Sequence, residues 1–176
     1  GWEKAVCNVL ISPAMGSKFS QLLVTLESDG HCKGNTGANQ YFVYVIEGTG
    51  SIMLDDKRHR LEGGSYVYLP PGKDVQLKSA KANTRILIFQ KHYQPLPGVA
   101  KPGVLTGHER DVKGQPFLGN EDARLQVLLP DQPAYDMAVN IFTYQPVATL
   151  PFVETHVMEH GLLMLRGQGV YRLDAD

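Results

Sequence analysis

The chain has 176 residues, 43% of them apolar and 20% charged, enough to build a core in one domain or two small ones and too apolar for a disordered chain. A net charge of −1, with both signs interspersed, gives no electrostatic ground for a nucleic-acid or acidic-membrane partner. Apolar runs such as Phe42–Ile46 and Leu162–Leu165 fall far short of the ~20 residues that span a bilayer, and no charged segment precedes an apolar leader, so a cytoplasmic protein is expected.

Eighteen glycines and eleven prolines divide the chain into short runs rich in Val, Ile, Leu, Tyr and Phe. In chain order, strands are expected at Asn8–Ile11, Gln21–Leu26, Tyr41–Ile46, Gly50–Leu54, Ser65–Leu69, Arg85–Gln90, Ala138–Tyr144, Leu162–Leu165 and Gly169–Leu173. The best helix candidate is Glu121–Leu129, and it is short. The pattern is all-β, a sandwich or barrel. Residues 94–116 hold four prolines and four glycines with few consecutive apolar residues, and are expected to be a linker with a short strand near Val104–Leu105. The two cysteines, Cys7 and Cys32, form no CxxC pair and are expected as free thiols in a reducing compartment.

A repeat divides the chain. Tyr41-Phe-Val-Tyr-Val-Ile-Glu-Gly48-Thr-Gly50-Ser-Ile-Met-Leu54-Asp55 aligns without gaps on His160-Gly-Leu-Leu-Met-Leu-Arg-Gly167-Gln-Gly169-Val-Tyr-Arg-Leu173-Asp174, at an offset of 119. In both, an apolar strand runs into Gly-x-Gly, which suits a hairpin, and a second strand ends at Leu-Asp. A fixed offset implies duplicated units.

Four of the six histidines, His31, His59, His92 and His108, lie in polar turns, loops or linker edges and are expected to be solvated. His156 and His160 differ. They sit in Pro151-Phe-Val-Glu154-Thr-His156-Val-Met-Glu159-His160. On a strand, Glu154 and His156 point to one side, and His160 returns to it if the chain stays extended or turns back. One carboxylate and two imidazoles form a facial ligand set for Mn, Fe, Ni, Co or Zn. Glu159 falls out of phase. The alternative is a helix pairing His156 and His160 on its surface, against which Gly161 and the following apolar run argue.

This cluster, followed by six residues and Gly167, resembles the first motif of the cupin superfamily, Gly-x5-His-x-His-x3,4-Glu-x6-Gly, with Glu154 at the first histidine position and His160 at the glutamate position. The first unit carries the second cupin motif as Gly64-Ser-Tyr-Val-Tyr-Leu-Pro70-Pro71-Gly72-Lys-Asp-Val75, with valine in place of the histidine. Shifting the ligands back by the offset lands on Asn35, Gly37 and Tyr41, so the first unit keeps the cupin glycines and proline without a credible metal site.

The Glu-x-His-x3-His variant, the block to Tyr171, Ile11–Ser17, Ser65–Pro71 and Leu128–Asp136 together resemble the bicupin (S)-ureidoglycine aminohydrolases, some of whose bacterial members are called glyoxylate-induced proteins. The resemblance implies two jelly-roll barrels: a metal-free cupin over 1–93, a linker over 94–116, and the start of a metal-binding cupin over 117–176. It implies Mn2+ held by Glu154, His156 and His160, with Glu154 and Tyr171 as candidate catalytic residues. It also implies a fourth ligand, a glutamine, that does not occur before Asp176. The implied activity is release of ammonia from (S)-ureidoglycine to give (S)-ureidoglycolate in purine and allantoin breakdown, by a homo-oligomer acting on a small ureido substrate. The other classes left open are a cupin dioxygenase or isomerase using Fe2+, and a non-catalytic small-molecule-binding bicupin.

Overall fold

The structure is a computed structural model, and it describes residues 1–150, 152 and 157–172. It is nearly all β. In order come β1 (Trp2–Ile11), a 3-10 turn at Pro13–Met15, β2 (Phe19–Asn35), β3 (Asn39–Glu47), β4 (Thr49–Leu54), β5 (Lys57–Glu62), β6 (Ser65–Leu69), β7 (Asp74–Ser79), β8 (Thr84–His92) and β9 (Leu105–His108). A 3-10 turn at Glu109–Asp111, β10 (Gln115–Phe117), β11 (Asn120–Val127) and β12 (Asn140–Tyr144) follow.

One antiparallel sheet runs β5-β4-β7-β2-β8-β3-β6-β9, with β1 added to β2. It curls because β2 serves both halves. Residues 19–26 of β2 pair with β8, and residues 31–35 pair with β7. The break between them holds Asp29 in the left-handed region. The resulting barrel is filled by period-two alternation. Val43 and Val45 point inward to Val24, Leu26, Ile52, Leu54, Leu61, Val67, Leu69, Leu77, Ile86 and Ile88. Each such buried aliphatic contributes about 1.5–3 kcal/mol. Phe42 and Tyr44 point outward and form a second core with Tyr66, Tyr68, Leu87, Leu128 and Leu129. Every residue of β6 is buried, because both faces of that strand are covered.

The chain is thus one complete cupin and part of a second, packed on the outer aromatic face of the first. Leu128–Asp136 makes that junction. Leu128 and Leu129 are buried, and the Tyr135 ring meets Tyr68 edge-on at 5.0 Å. Asp136 accepts from Lys91 Nζ at 2.5 Å, Gln40 Nε2 at 3.1 Å and the Gln94 amide at 3.0 Å.

Several expectations are corrected. Glu121–Leu129 is not a helix: β11 pairs with β10 and β12. Ala123, Leu125 and Val127 alternate at period two, and the available partner strands decide the outcome. The Gly48-x-Gly50 link is a corner, not a hairpin. β3 pairs with β6 and β8, whereas β4 pairs with β5 and β7. Gly48 has φ 96°, and a Cβ there would lie 2.5 Å from Thr84 Oγ1, so the corner requires glycine on both counts. Residues 162–165 and 169–172 form no strand. Within the expected linker, β9 pairs with β6 and ties that segment to the first sheet. His108 is not a solvated side chain: it is 17% exposed, and its Nδ1 caps the Glu109–Asp111 turn by accepting from the Arg110 amide at 3.1 Å. Cys7 and Cys32 are free.

Candidate metal centre

Of the expected ligands, Glu154 and His156 lie outside the described residues. His160 is described and exposed. Tyr171, the other candidate catalytic residue, is 64% exposed. Among the described residues no group of three or more His, Cys, Asp and Glu side chains is placed to hold a metal.

The backbone around His160 lies against the start of β2. Glu159 Oε2 accepts from the Lys18 amide at 2.7 Å and from Ser17 Oγ at 3.3 Å. The Leu162 carbonyl accepts from Gln21 Nε2 at 3.0 Å. Leu163 packs into the outer core. Sequence reasoning missed Gln21 and Lys18, since a polar residue inside an apolar strand gives no sign of what it meets 141 positions later. Ser17 closes the Ile11–Ser17 stretch of the resemblance, which was the one available signal.

In the first copy the corresponding positions make structural contacts. Asn35 Nδ2 donates to Asp74 Oδ1 at 2.8 Å, and Asn35 Oδ1 accepts from the Gly37 amide at 2.8 Å, an Asx turn at the barrel end. Tyr41 and Val75 pack against the aliphatic core.

A cavity of about 550 Å³ opens between β5 and the β6–β9 pair, lined by Arg58, His59, Arg60, Tyr66, Thr106 and His108 among others. No described residue of the 154–171 block lines it. Its arginines sit on β5, which among the described residues pairs only with β4, and charge on an edge strand discourages a further strand from adding there.

Burial keeps the tyrosine hydroxyls at the junction protonated. Burial, then the hydrogen bond to Glu109, pushes the Tyr44 hydroxyl well above the ordinary tyrosine range. Its hydroxyl donates to Glu109 Oε2 at 2.5 Å. Burial raises Tyr68 and Tyr66 as well. Burial also raises the Cys32 thiol, which makes it a poor nucleophile.

Comparison with known proteins places this geometry. The family model for the EutQ-like cupin domain matches residues 18–93. The (S)-ureidoglycine aminohydrolase of Escherichia coli (strain K12) is 33% identical over 99% of this chain and 67% of its own length. The chain belongs to the (S)-ureidoglycine aminohydrolase family. A member from Arabidopsis thaliana is 29% identical over 98% of this chain and 57% of its own length. A solved structure from Pseudomonas aeruginosa, named as a glyoxylate-induced protein, superposes with a TM-score of 0.77 at 28% identity, covering 89% of this chain and 61% of that one. The chain therefore spans between a little over half and two thirds of these relatives. No described helix is long and apolar enough to cross a membrane.

The donor set of the family block, one carboxylate and two imidazoles, fits a divalent first-row cation by its chemistry. None of the three donors is a thiolate, so the set does not favour soft ions.

Proposed function

We propose that the full-length protein is a metal-dependent hydrolase that releases ammonia from (S)-ureidoglycine to give (S)-ureidoglycolate, in purine and allantoin breakdown. The observation that carries this reading is 33% identity to an (S)-ureidoglycine aminohydrolase across 99% of the chain, a span that includes the Glu154–Tyr171 block. In the reaction the bond from the central carbon to the amino nitrogen breaks, a bond to a water-derived oxygen forms, and nothing is oxidised.

Glu154, His156 and His160 would hold Mn2+. Bound there, the cation would supply a Lewis-acid grip on the substrate and offset charge as the amine departs. The histidines must be neutral to ligate, which sets a lower pH limit on activity. Tyr171 has a hydroxyl suited to hydrogen-bonding the substrate or passing a proton to the leaving nitrogen. We also assign residues 1–93 to the metal-free cupin, 94–116 to the connection and 117–176 to the metal-binding cupin.

We further expect a cytoplasmic homo-oligomer. The exposed strand β1, paired among the described residues only with β2 and carrying Val6 and Val9 at 58% and 54% exposure, favours self-association. The test is direct: the full-length protein with Mn2+ should release one ammonia per (S)-ureidoglycine without consuming oxygen. Oxygen uptake with Fe2+, or no ammonia, would overturn the proposal.

A further inference from the structure

The proposed ligand His160 is exposed, yet the residues on either side of it are fixed to the first cupin. On one side, Glu159 takes two hydrogen bonds from Ser17 and Lys18. On the other, Gln21 donates to the Leu162 carbonyl, and Leu163 enters the outer core. Between them, Gly161 lies flush on β2: a Cβ there would sit 2.5 Å from Gln21 Oε1 and 2.9 Å from the Phe19 ring. A side chain at 161 would have to displace the buried Gln21 amide and the Phe19 ring, or lift the loop that carries His160.

Gln21 is an unusual choice for this place. It is 1% exposed, among aliphatic neighbours on β2, and a buried amide is tolerated only for the bonds it makes. Its Nε2 faces a carbonyl, which can only accept, so the amide orientation is set. Its Oε1 is buried without a hydrogen-bond partner among the described residues. A leucine would satisfy packing alone at lower cost. What the amide adds is a directional hold on the main chain two residues past His160.

We propose that Gln21, with the Ser17–Lys18 turn, is a positioning element: the metal-free cupin sets the placement of His160 in the other unit. This rests on the metal reading above. It gives the first unit a role in the chemistry although its own ligand positions are filled by Asn35, Tyr41 and Val75. Groups that orient a metal ligand typically change metal affinity by about 10–100-fold.

The test uses the full-length protein and the metal alone. Mn2+ dissociation constants are measured by the electron paramagnetic resonance of free Mn2+, and thermal unfolding is recorded beside them. Gln21→Ala and Gly161→Ala should each weaken Mn2+ binding by about tenfold or more. Combined, they should weaken it by less than the product of the two, because removing Oε1 makes room for the new methyl. Glu159→Ala, an exposed substitution that leaves the core untouched, should weaken binding severalfold and decides the matter if Gln21→Ala does not fold. Wild-type Mn2+ affinity in folded Gln21→Ala and Gly161→Ala, or in Glu159→Ala where Gln21→Ala does not fold, overturns this inference alone. Absence of Mn2+ binding by the unsubstituted protein overturns the metal reading and this inference with it.

Discussion

The two copies of the repeat use one framework for different ends. In the first, residues 41–55 are strands β3 and β4, joined by the Gly48 corner and locked between β5, β6, β7 and β8. The positions equivalent to the ligands hold an Asx turn and two core side chains. In the second, the described residues from 160 to 172 form no strand. They leave Leu162, Met164 and Tyr171 at 52%, 53% and 64% exposure. The framework of glycines and alternating apolar residues is therefore separable from the chemistry. The buried core of the first barrel is aliphatic throughout. Strands β3 and β4 are held by strands that follow them between residues 57 and 92.

The sharpest way to break this contrast is to remove an imidazole from the second unit. In the full-length protein, His156→Ala or His160→Ala should lower Mn2+ affinity and ammonia release together, beyond the roughly 10–100-fold expected of a group that only orients a ligand. Circular dichroism should be unchanged, and His59→Ala should alter neither. Full metal occupancy in either variant would dissolve the distinction between the units.

The converse substitution acts on the first unit. Ile52→Ala removes a fully buried side chain from the barrel core and should cost about 2–5 kcal/mol, read as a lower urea midpoint at unchanged slope. A cost under 1 kcal/mol would mean that the barrel interior is not the close-packed core described. At the junction, Asp136→Ala removes the carboxylate that Lys91 and Gln40 share and leaves them only the carbonyl of residue 136, which accepts from them at 2.9 and 3.3 Å. The expected loss is about 1.5–3 kcal/mol, the usual contribution of a hydrogen bond to a charged group. Reversal by adding Lys91→Met in the same chain would identify the stranded charge as the cause; no reversal would point to lost packing at Tyr135.

Much of this contrast was legible in the residues. Alternation at Phe42–Ile46 and the punctuation at Gly48, Gly50 and Gly64 marked the strands of the first unit. Other features were hidden for physical reasons. Strand β5, Lys57–Glu62, is mostly charged and lies at an edge, so it carries no apolar signature. The corner at Gly48 and a hairpin need the same left-handed glycine, and only the strand partners tell them apart. At the candidate site, His160 stood out by its spacing to Gly167. Gln21 and Lys18 did not, because their roles are contacts with residues 141 positions away.

The finest test of the junction is its pH dependence. Tyr44 and Tyr68 face outward from the first barrel into the shared core, and burial holds both hydroxyls protonated above the ordinary pKa of about 10. The folded state then keeps protons that the unfolded chain releases. The stabilisation from each raised tyrosine is fully present below pH 10 and is lost as pH rises above it, at up to about 1.4 kcal/mol per pH unit. Lysines also titrate in this range, so the informative quantity is a difference between two chains. Tyr44→Phe loses the bond to Glu109 Oε2, which makes it less stable than the parent at pH 8 by about 1 kcal/mol. It also loses the ionisable group. The gap between parent and variant urea midpoints should therefore narrow between pH 9 and pH 11. A gap that stays constant across that range would mean that the Tyr44 hydroxyl ionises as readily in the folded protein as in water, and that the second unit does not seal this face of the first.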